Sequence, residues 1–277
     1  MQVSVDGRLL AVDDARISPF DHGLLVGDGV FETLRVYAGV PFAWTRHLDR
    51  LHHSAAGLGL DVPDGDDLRR RADDVLSANG LTEARLRITI TGGPSPLGSE
   101  RGDTAPTVIV AAAAAAAWPP TTALVTVPWP RNERGAVTGL KTISYAENVR
   151  ALAFASERGG GEALFLNTVG DVCEGTGANL FAVVDGELFT PPAASGCLLG
   201  VTRALVLEIA ASTGIGTSTG RLEPSTLLAA DEVFITSSTR EIQPVDRVDG
   251  TEFAVPGPIT RHLAEAFTEL VRTTPDP

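Results

Sequence analysis

The sequence predicts an α+β protein of two domains, a small α+β domain followed by a larger one with a barrel-like mixed sheet. Three observations carry that expectation. Short segments that alternate apolar and polar residues recur along the chain and are joined mostly by tight turns, which favours an antiparallel or mixed sheet over a doubly wound one. Segments with apolar residues at helical spacing lie between them. The composition breaks once, where an alanine-rich run from Val108 to Trp118 stops at Pro119-Pro120, since proline interrupts both helices and central strands. The domains expected are a small domain over 1–117, a linker with the first strand of the large domain over 118–135, and a large domain over 136–277.

The elements follow in order. Residues 2 to 12 alternate about Asp6-Gly7, a pair suited to a hairpin turn, and Gly29 to Tyr37 forms a longer strand ending at Ala38-Gly39. From Thr45 to Leu60 the residues Leu48, Leu51, Ala55 and Leu58 fall at helical spacing, and a more polar helix covers Asp66 to Ala78. Arg85 to Thr91 alternates as a strand, Gly92 to Asp103 is a loop rich in glycine and proline, and Thr107 to Ala111 is another strand. Beyond the prolines come a strand at Leu124 to Pro128, a helix at Glu147 to Glu157, strands at Glu162 to Asn167 and Asn179 to Val184, and the turn Asp185-Gly186. A helix at Thr202 to Ala211, strands at Glu232 to Thr236 and Ile242 to Val248, and a helix at Ile259 to Val271 complete the chain.

Bulk composition narrows the function. The chain has 277 residues, 43% hydrophobic and 21% charged, as expected for a soluble globular protein. Its 22 basic and 35 acidic residues give a net charge of -13, which disfavours nucleic acid and anionic membrane, so any phosphate must be held by a local site. Neither a signal peptide nor an apolar stretch of bilayer length is seen. Cys173 and Cys197 make no disulfide framework or metal spacing, which fits a reducing cytoplasm, and no metal is expected.

Lys141 is the only lysine; the other 21 of the 22 basic residues are arginine. A guanidinium supplies charge and hydrogen bonds, but it stays protonated and cannot act as a nucleophile. Only the amine can condense with a carbonyl as a Schiff base and later shuttle protons as a general base. The count alone leaves compositional drift as an equal explanation, so the neighbouring motifs decide.

Those motifs are Gly27-Asp28-Gly29-Val30-Phe31-Glu32, His47-Leu48-Asp49-Arg50-Leu51, Gly139-Leu140-Lys141, Glu174-Gly175-Thr176-Gly177-Ala178-Asn179-Leu180-Phe181, Gly200-Val201-Thr202-Arg203, and Asp231-Glu232-Val233-Phe234-Ile235-Thr236-Ser237-Ser238. Each is weak alone. All six in this order, over essentially the whole chain, resemble the class IV aminotransferases, the fold-type IV pyridoxal-phosphate enzymes, which include D-amino-acid and branched-chain aminotransferases, (R)-amine transaminases and aminodeoxychorismate lyases.

The resemblance implies roles for residues at matching positions. Lys141 forms the Schiff base with pyridoxal 5′-phosphate, and Glu174 pairs with the pyridine nitrogen, keeping it protonated so that the ring accepts electrons from the substrate. Arg50 binds the phosphate, with a plain ion pair to Asp49 or Glu32 as the alternative. The opening of a helix at Val201 and Thr202, and the turn at Ser237 and Ser238, supply further phosphate donors. Tyr145 lies four residues after Lys141, where the branched-chain enzymes place a cofactor-binding tyrosine five after, so its role is read as packing.

Substrate choice is expected from Phe31 and the Gly92–Asp103 loop. Where D-amino-acid aminotransferases use an arginine and a histidine in this loop to hold the substrate carboxylate, this chain has Leu97 and Ser99. Arg101, Arg131 and Arg134 are the replacement candidates, each weighed against a surface role. The activity implied is a transaminase moving an amino group between D-amino acids, or (R)-primary amines, and a 2-keto acid. The alternatives are an aminodeoxychorismate lyase, which the stretch Arg131-Asn132-Glu133-Arg134 resembles, and a pyridoxal-phosphate-binding protein without turnover. A homodimer with the active site near its interface is implied by the resemblance.

Overall fold

The structure, a computed structural model, describes residues 1–277. Met1–Ala116, Leu140–Tyr145 and Pro275–Pro277 form one compact unit, and Ala117–Gly139 with Ala146–Thr274 form another. This division departs from the expected one in two places, because the lysine stretch and the last three residues cluster with the N-terminal unit. Hydrogen bonds are the reason: Phe31 N–H donates to Lys141 O at 3.1 Å, Ile143 N–H to Gly29 O at 2.9 Å, and Ala43 N–H to Pro275 O at 2.8 Å. Pairings between segments so distant in sequence leave no mark on composition.

The first unit is built on a six-stranded sheet. β1 (Gln2–Val5) and β2 (Arg8–Ala11) form the hairpin, with Asp6 and Gly7 both left-handed at φ 50° and 79°, as a primed turn requires. After the single turn α1 (His22–Leu25) come β3 (Gly29–Tyr37), β4 (Val40–Pro41), α2 (Trp44–Leu58), α3 (Gly65–Ala78), β5 (Ala84–Thr91) and β6 (Thr107–Ala114). The strand order is β2-β1-β6-β5-β3-β4, antiparallel throughout. β6 runs beyond the expected Ala111 because Ala111 to Ala114 pair in register with Arg87 to Ala84, and that pairing overrides the weak strand preference of alanine. Alternation along β3 sorts its side chains: Val30, Leu34 and Val36 join Leu51 and Ala55 of α2 and Leu68 and Val75 of α3 in one core, while Phe31, Thr33 and Arg35 take the opposite face.

α2 starts without a capping side chain of its own, at Ala43 in a left-handed conformation. Asp276, 231 residues from Thr45, accepts hydrogen bonds from Thr45 N–H at 2.9 Å and Thr45 Oγ1 at 2.6 Å and so caps the helix from outside it. The helix stops at the left-handed Gly59, whose N–H meets the carbonyls of Ala55 and Ala56.

The second unit holds a nine-stranded mixed sheet. Its elements are β7 (Thr122–Thr126), α4 (Ala146–Ser156), β8 (Glu162–Leu166), β9 (Val172–Gly175), β10 (Asn179–Val184), β11 (Glu187–Thr190), α5 (Val201–Ser212), β12 (Thr217–Thr219), α6 (Pro224–Leu228), β13 (Glu232–Ser237), β14 (Glu241–Val248), β15 (Thr251–Glu252) and α7 (Pro258–Thr273). The order is β12-β11-β10-β13-β14-β7-β8-β9, with β15 on β14; β7 runs parallel to β8 and β14, and β11 to β12. Leu124, Leu164, Leu180, Ile235 and Val245 share one core, and Phe181 stacks on Phe234 at 4.9 Å. The strands β9, β11, β12 and β15 were not expected from the sequence; they have four residues or fewer, too short to show a period. No helix is long and apolar enough to cross a membrane.

Asp276→Ala is expected to lower stability by about 1 kcal/mol, the usual worth of a helix cap, through loss of the α2 acceptor. Urea unfolding followed by circular dichroism measures it, and an unchanged midpoint would reject the capping role.

Candidate active site

Glu32 belongs to the core-facing side of β3, where a carboxylate is normally excluded. Two side chains one turn apart on α2 make its burial possible. Arg50 donates from Nε to Oε1 at 2.7 Å and from Nη2 to Oε2 at 2.8 Å, and His47 Nδ1 lies 2.7 Å from Oε2. Burial alone would raise the Glu32 carboxyl, but Arg50 and His47 outweigh it and hold it well below the usual carboxylate range. Burial pulls the His47 imidazole down despite Glu32, so the ring is neutral at pH 7 and donates its Nδ1 proton to an oxygen that can only accept. Arg50 is thus tied to Glu32, the partner named as the plain alternative, through one edge of a two-pronged contact.

One turn further along α2, the buried Ser54 Oγ accepts the Lys141 N–H at 3.0 Å. With the Lys141 carbonyl bound by Phe31 N–H and Thr142 bridged to Val30, the lysine backbone is fixed on both sides. Its Nζ lies 4.4 Å from the centroid of the Phe31 ring, which Tyr145 meets edge-on at 5.1 Å. The guanidinium of Arg87 sits 3.7 Å from the same centroid; its only hydrogen bond is to Thr89 Oγ1, and no carboxylate pairs with it. Sequence reasoning missed Arg87. The one signal for it was alternation in β5, which puts Arg87 opposite Thr33 and on the face of β3 that carries Phe31.

The second unit carries the other residues that the sequence singled out for the cofactor. Glu174, on β9, accepts the Leu198 N–H at 2.9 Å and lies 3.6 Å from Arg131 Nε. α5 opens at Gly200 with no capping side chain, so the backbone N–H groups of Val201 and Thr202 point out of the helix beside the buried Thr202 hydroxyl. A Cβ at Gly200 would come within 2.1 Å of Asn179 Oδ1, and Asn179 is anchored by donating to Leu198 O, so glycine is favoured there. At the end of β13 the buried Thr236 Oγ1 has no partner, Ser237 Oγ accepts Arg240 N–H at 3.1 Å, and Ser238 follows. Amide and hydroxyl donors at one helix start and one strand end suit a phosphate, and a carboxylate held by an amide suits a protonated ring nitrogen. Cys173, next to Glu174, is a buried thiol pushed up by burial and by that carboxylate, so it is inert.

The expected substrate-pocket residues divide between the two units. Leu97 is 73% exposed and Ser99 is exposed in the 92–103 loop. Arg101 binds Asp28 at 2.6 Å and Gly59 O at 2.9 Å, tying that loop down. Arg134 has an 82% exposed side chain near Glu133, the surface role. Arg131 is packed over Phe165 and bonded to Glu147 and Asn148.

Comparison with known proteins follows the same lines. The family model "Amino-transferase class IV" matches residues 29–248. A provisionally named branched-chain-amino-acid aminotransferase of Methanocaldococcus jannaschii is 36% identical over 98% of this chain and 96% of its own length. A D-alanine aminotransferase of Listeria innocua is 31% identical over 98% and 96%. The crystal structure of Escherichia coli branched-chain amino acid aminotransferase superposes with a TM-score of 0.93 at 31% identity, covering 97% of this chain and 94% of that one.

Glu32→Ala leaves Arg50 buried without its counter-charge and is expected to cost about 3 kcal/mol in urea unfolding at pH 7. In the unfolded chain Glu32 takes up its proton near 4.5, and in the fold it does so far lower. Its contribution is therefore complete above about pH 4.5 and is lost as pH falls below it. Glu32→Gln should flatten the stability profile in that acid window; a profile as steep as wild type would refute the coupling.

Proposed function

We propose that this chain, which belongs to the class IV aminotransferases, moves an amino group between a D-amino acid and a 2-keto acid, with Lys141 as the catalytic residue. The family uses pyridoxal 5′-phosphate, and the donor sets described above fit that group. The observation that carries the reading is a primary amine fixed at its backbone and held beside Phe31, with the Arg87 cation at the same ring. When bound, the cofactor supplies an aldehyde for an amine to condense with and a ring that draws electrons from the adjoining carbon.

Lys141 Nζ is the amine that would hold that aldehyde; as a free amine it would take the proton from the substrate Cα and give one back, a transfer that an arginine cannot make. We assign Glu174 to the ring nitrogen. The residues that would bind the cofactor's phosphate are Arg50 in the first unit and, in the second, the Val201 and Thr202 amides, the Thr202 hydroxyl, Ser237 and Ser238. Arg87 takes the place that the sequence reading gave to Arg101, Arg131 or Arg134: a cation without a carboxylate partner, beside the lysine, suits the carboxylate of an amino or keto acid. It also makes (R)-amines lacking a carboxylate the poorer substrates.

D-configured donors rest on the sequence resemblance. Branched-chain amino acids are the second reading, favoured by the similarity to the Methanocaldococcus protein. A second copy of the chain is proposed to cover the exposed Ile17, Phe20, Leu24 and Val26 of the first unit as a homodimer.

Mixing the holoenzyme with D-alanine or with L-leucine, without acceptor, and following loss of the cofactor's visible band identifies the donor. Bleaching by D-alanine alone is expected. Bleaching by L-leucine alone would install the branched-chain reading, and bleaching by neither would move aminodeoxychorismate lyase ahead. Lys141→Arg should fold with an unchanged melting point and show no turnover; residual turnover would remove Lys141 from its role. Arg87→Gln should raise KM for the keto acid about tenfold with little change in kcat, the size of one charge-assisted contact, and an unchanged KM would exclude Arg87 from substrate binding.

A further inference from the structure

Arg131 was a candidate for the substrate carboxylate, yet its surroundings in the second unit point elsewhere. Its guanidinium lies 4.1 Å from the centroid of the Phe165 ring. Nη1 donates to Glu147 Oε2 at 3.1 Å and to Asn148 Oδ1 at 3.2 Å, and Nη2 donates to Asn148 Oδ1 at 3.1 Å. Asn148 is itself anchored by donating to Thr176 O. The plane of the guanidinium is therefore set by a ring on one side and a fixed amide at its outer edge. The Nε–H remains buried with no hydrogen-bond acceptor, and its nearest acid is Glu174, whose Oε1 is 3.6 Å away. The other oxygen, Glu174 Oε2, is occupied by Leu198 N–H. A buried N–H without an acceptor opposes folding, so one retained beside a carboxylate asks for a use.

We propose that Arg131 is a positioning residue that turns the Glu174 carboxylate toward the cofactor's ring nitrogen and keeps it charged there. The inference rests on the assignment of Glu174 to that nitrogen. A cation beside Oε1 penalises a proton on Glu174 more than a proton on the more distant nitrogen, so a proton shared between the two stays on the ring. Without the cation the proton moves toward the carboxylate, and the ring draws electrons less well. Arg131 reaches the chemistry through Glu174, and all three of its nitrogens face protein groups.

The test uses holoenzyme reconstituted with pyridoxal phosphate carrying 15N in the ring, with the nitrogen shift read at fixed pH in the absence of substrate. In Arg131→Gln the shift should move toward the unprotonated position and the half-reaction should slow about tenfold, as for loss of one charge-assisted contact. Arg131→Lys, which keeps a cation, should restore most of both. Should the glutamine variant fail to fold, Arg131→Met preserves packing on Phe165 and carries the same expectation. A wild-type shift in the glutamine or methionine variant overturns the proposal, and so does a raised KM for carboxylate substrates with the shift unmoved. Glu174→Gln separates the two levels: a wild-type shift there rejects Glu174 as the nitrogen's partner, whereas a moved shift there with an unmoved one in the Arg131 variants rejects only the role of Arg131.

Discussion

The backbone of Lys141 is held between a strand and a helix, its carbonyl taking the Phe31 N–H and its own N–H given to Ser54. A flexible four-carbon side chain can return its amine to one place only if the backbone beneath it does not move. Everything in the first unit that bears on chemistry is arranged around this fastening. β3 offers backbone groups at Gly29 and Phe31, and α2 brings Ser54 to the other side. The Phe31 ring that meets Nζ is carried by the same residue whose amide binds the lysine carbonyl, so the ring and the amine share one reference point.

The same strand and helix are locked together by charge. A carboxylate inside a core is unfavourable unless its partners are complete, and Glu32 has two from a single helix face. The arrangement stabilises less than it specifies. It ties α2 to β3 at His47 and Arg50, one turn before Ser54. Neutral His47 contributes a hydrogen bond without adding a second cation to compete with Arg50. In a chain with a net charge of -13, the direction of the Arg50 guanidinium is fixed in this way by a buried acid.

Much of this was legible in the sequence. Period-two alternation found β3 at its observed limits, and helical spacing found α2 within two residues at each end, because both elements bury one face against a large core. The lone lysine and the ordered motifs indicated the chemistry. What remained hidden depended on contacts between distant segments. The move of Leu140–Tyr145 to the first unit follows from hydrogen bonds to β3, to which composition is blind. β9, which carries Glu174, is a four-residue strand that includes a glycine and reads as a turn. Arg87 resembled any polar residue on the outer face of a sheet until its register with β3 set it beside Phe31. Arg101 was singled out for its charge, yet Asp28 engages its guanidinium, and a one-dimensional reading has no means of finding that partner.

Phe31 and Glu32 are neighbours in β3, yet they serve opposite sides of the sheet, the ring beside the amine and the carboxylate inside the helical core. A strand converts adjacency in sequence into separation across a layer, so this short stretch works as a two-sided part. Its evolution is constrained accordingly. Insertion or deletion of one residue within Gly29–Tyr37 would exchange the two sides, burying an aromatic ring where α2 presents a cation and exposing the carboxylate beside the lysine. Point substitutions can adjust either face alone, and the length of the strand is the one property that both faces hold in common.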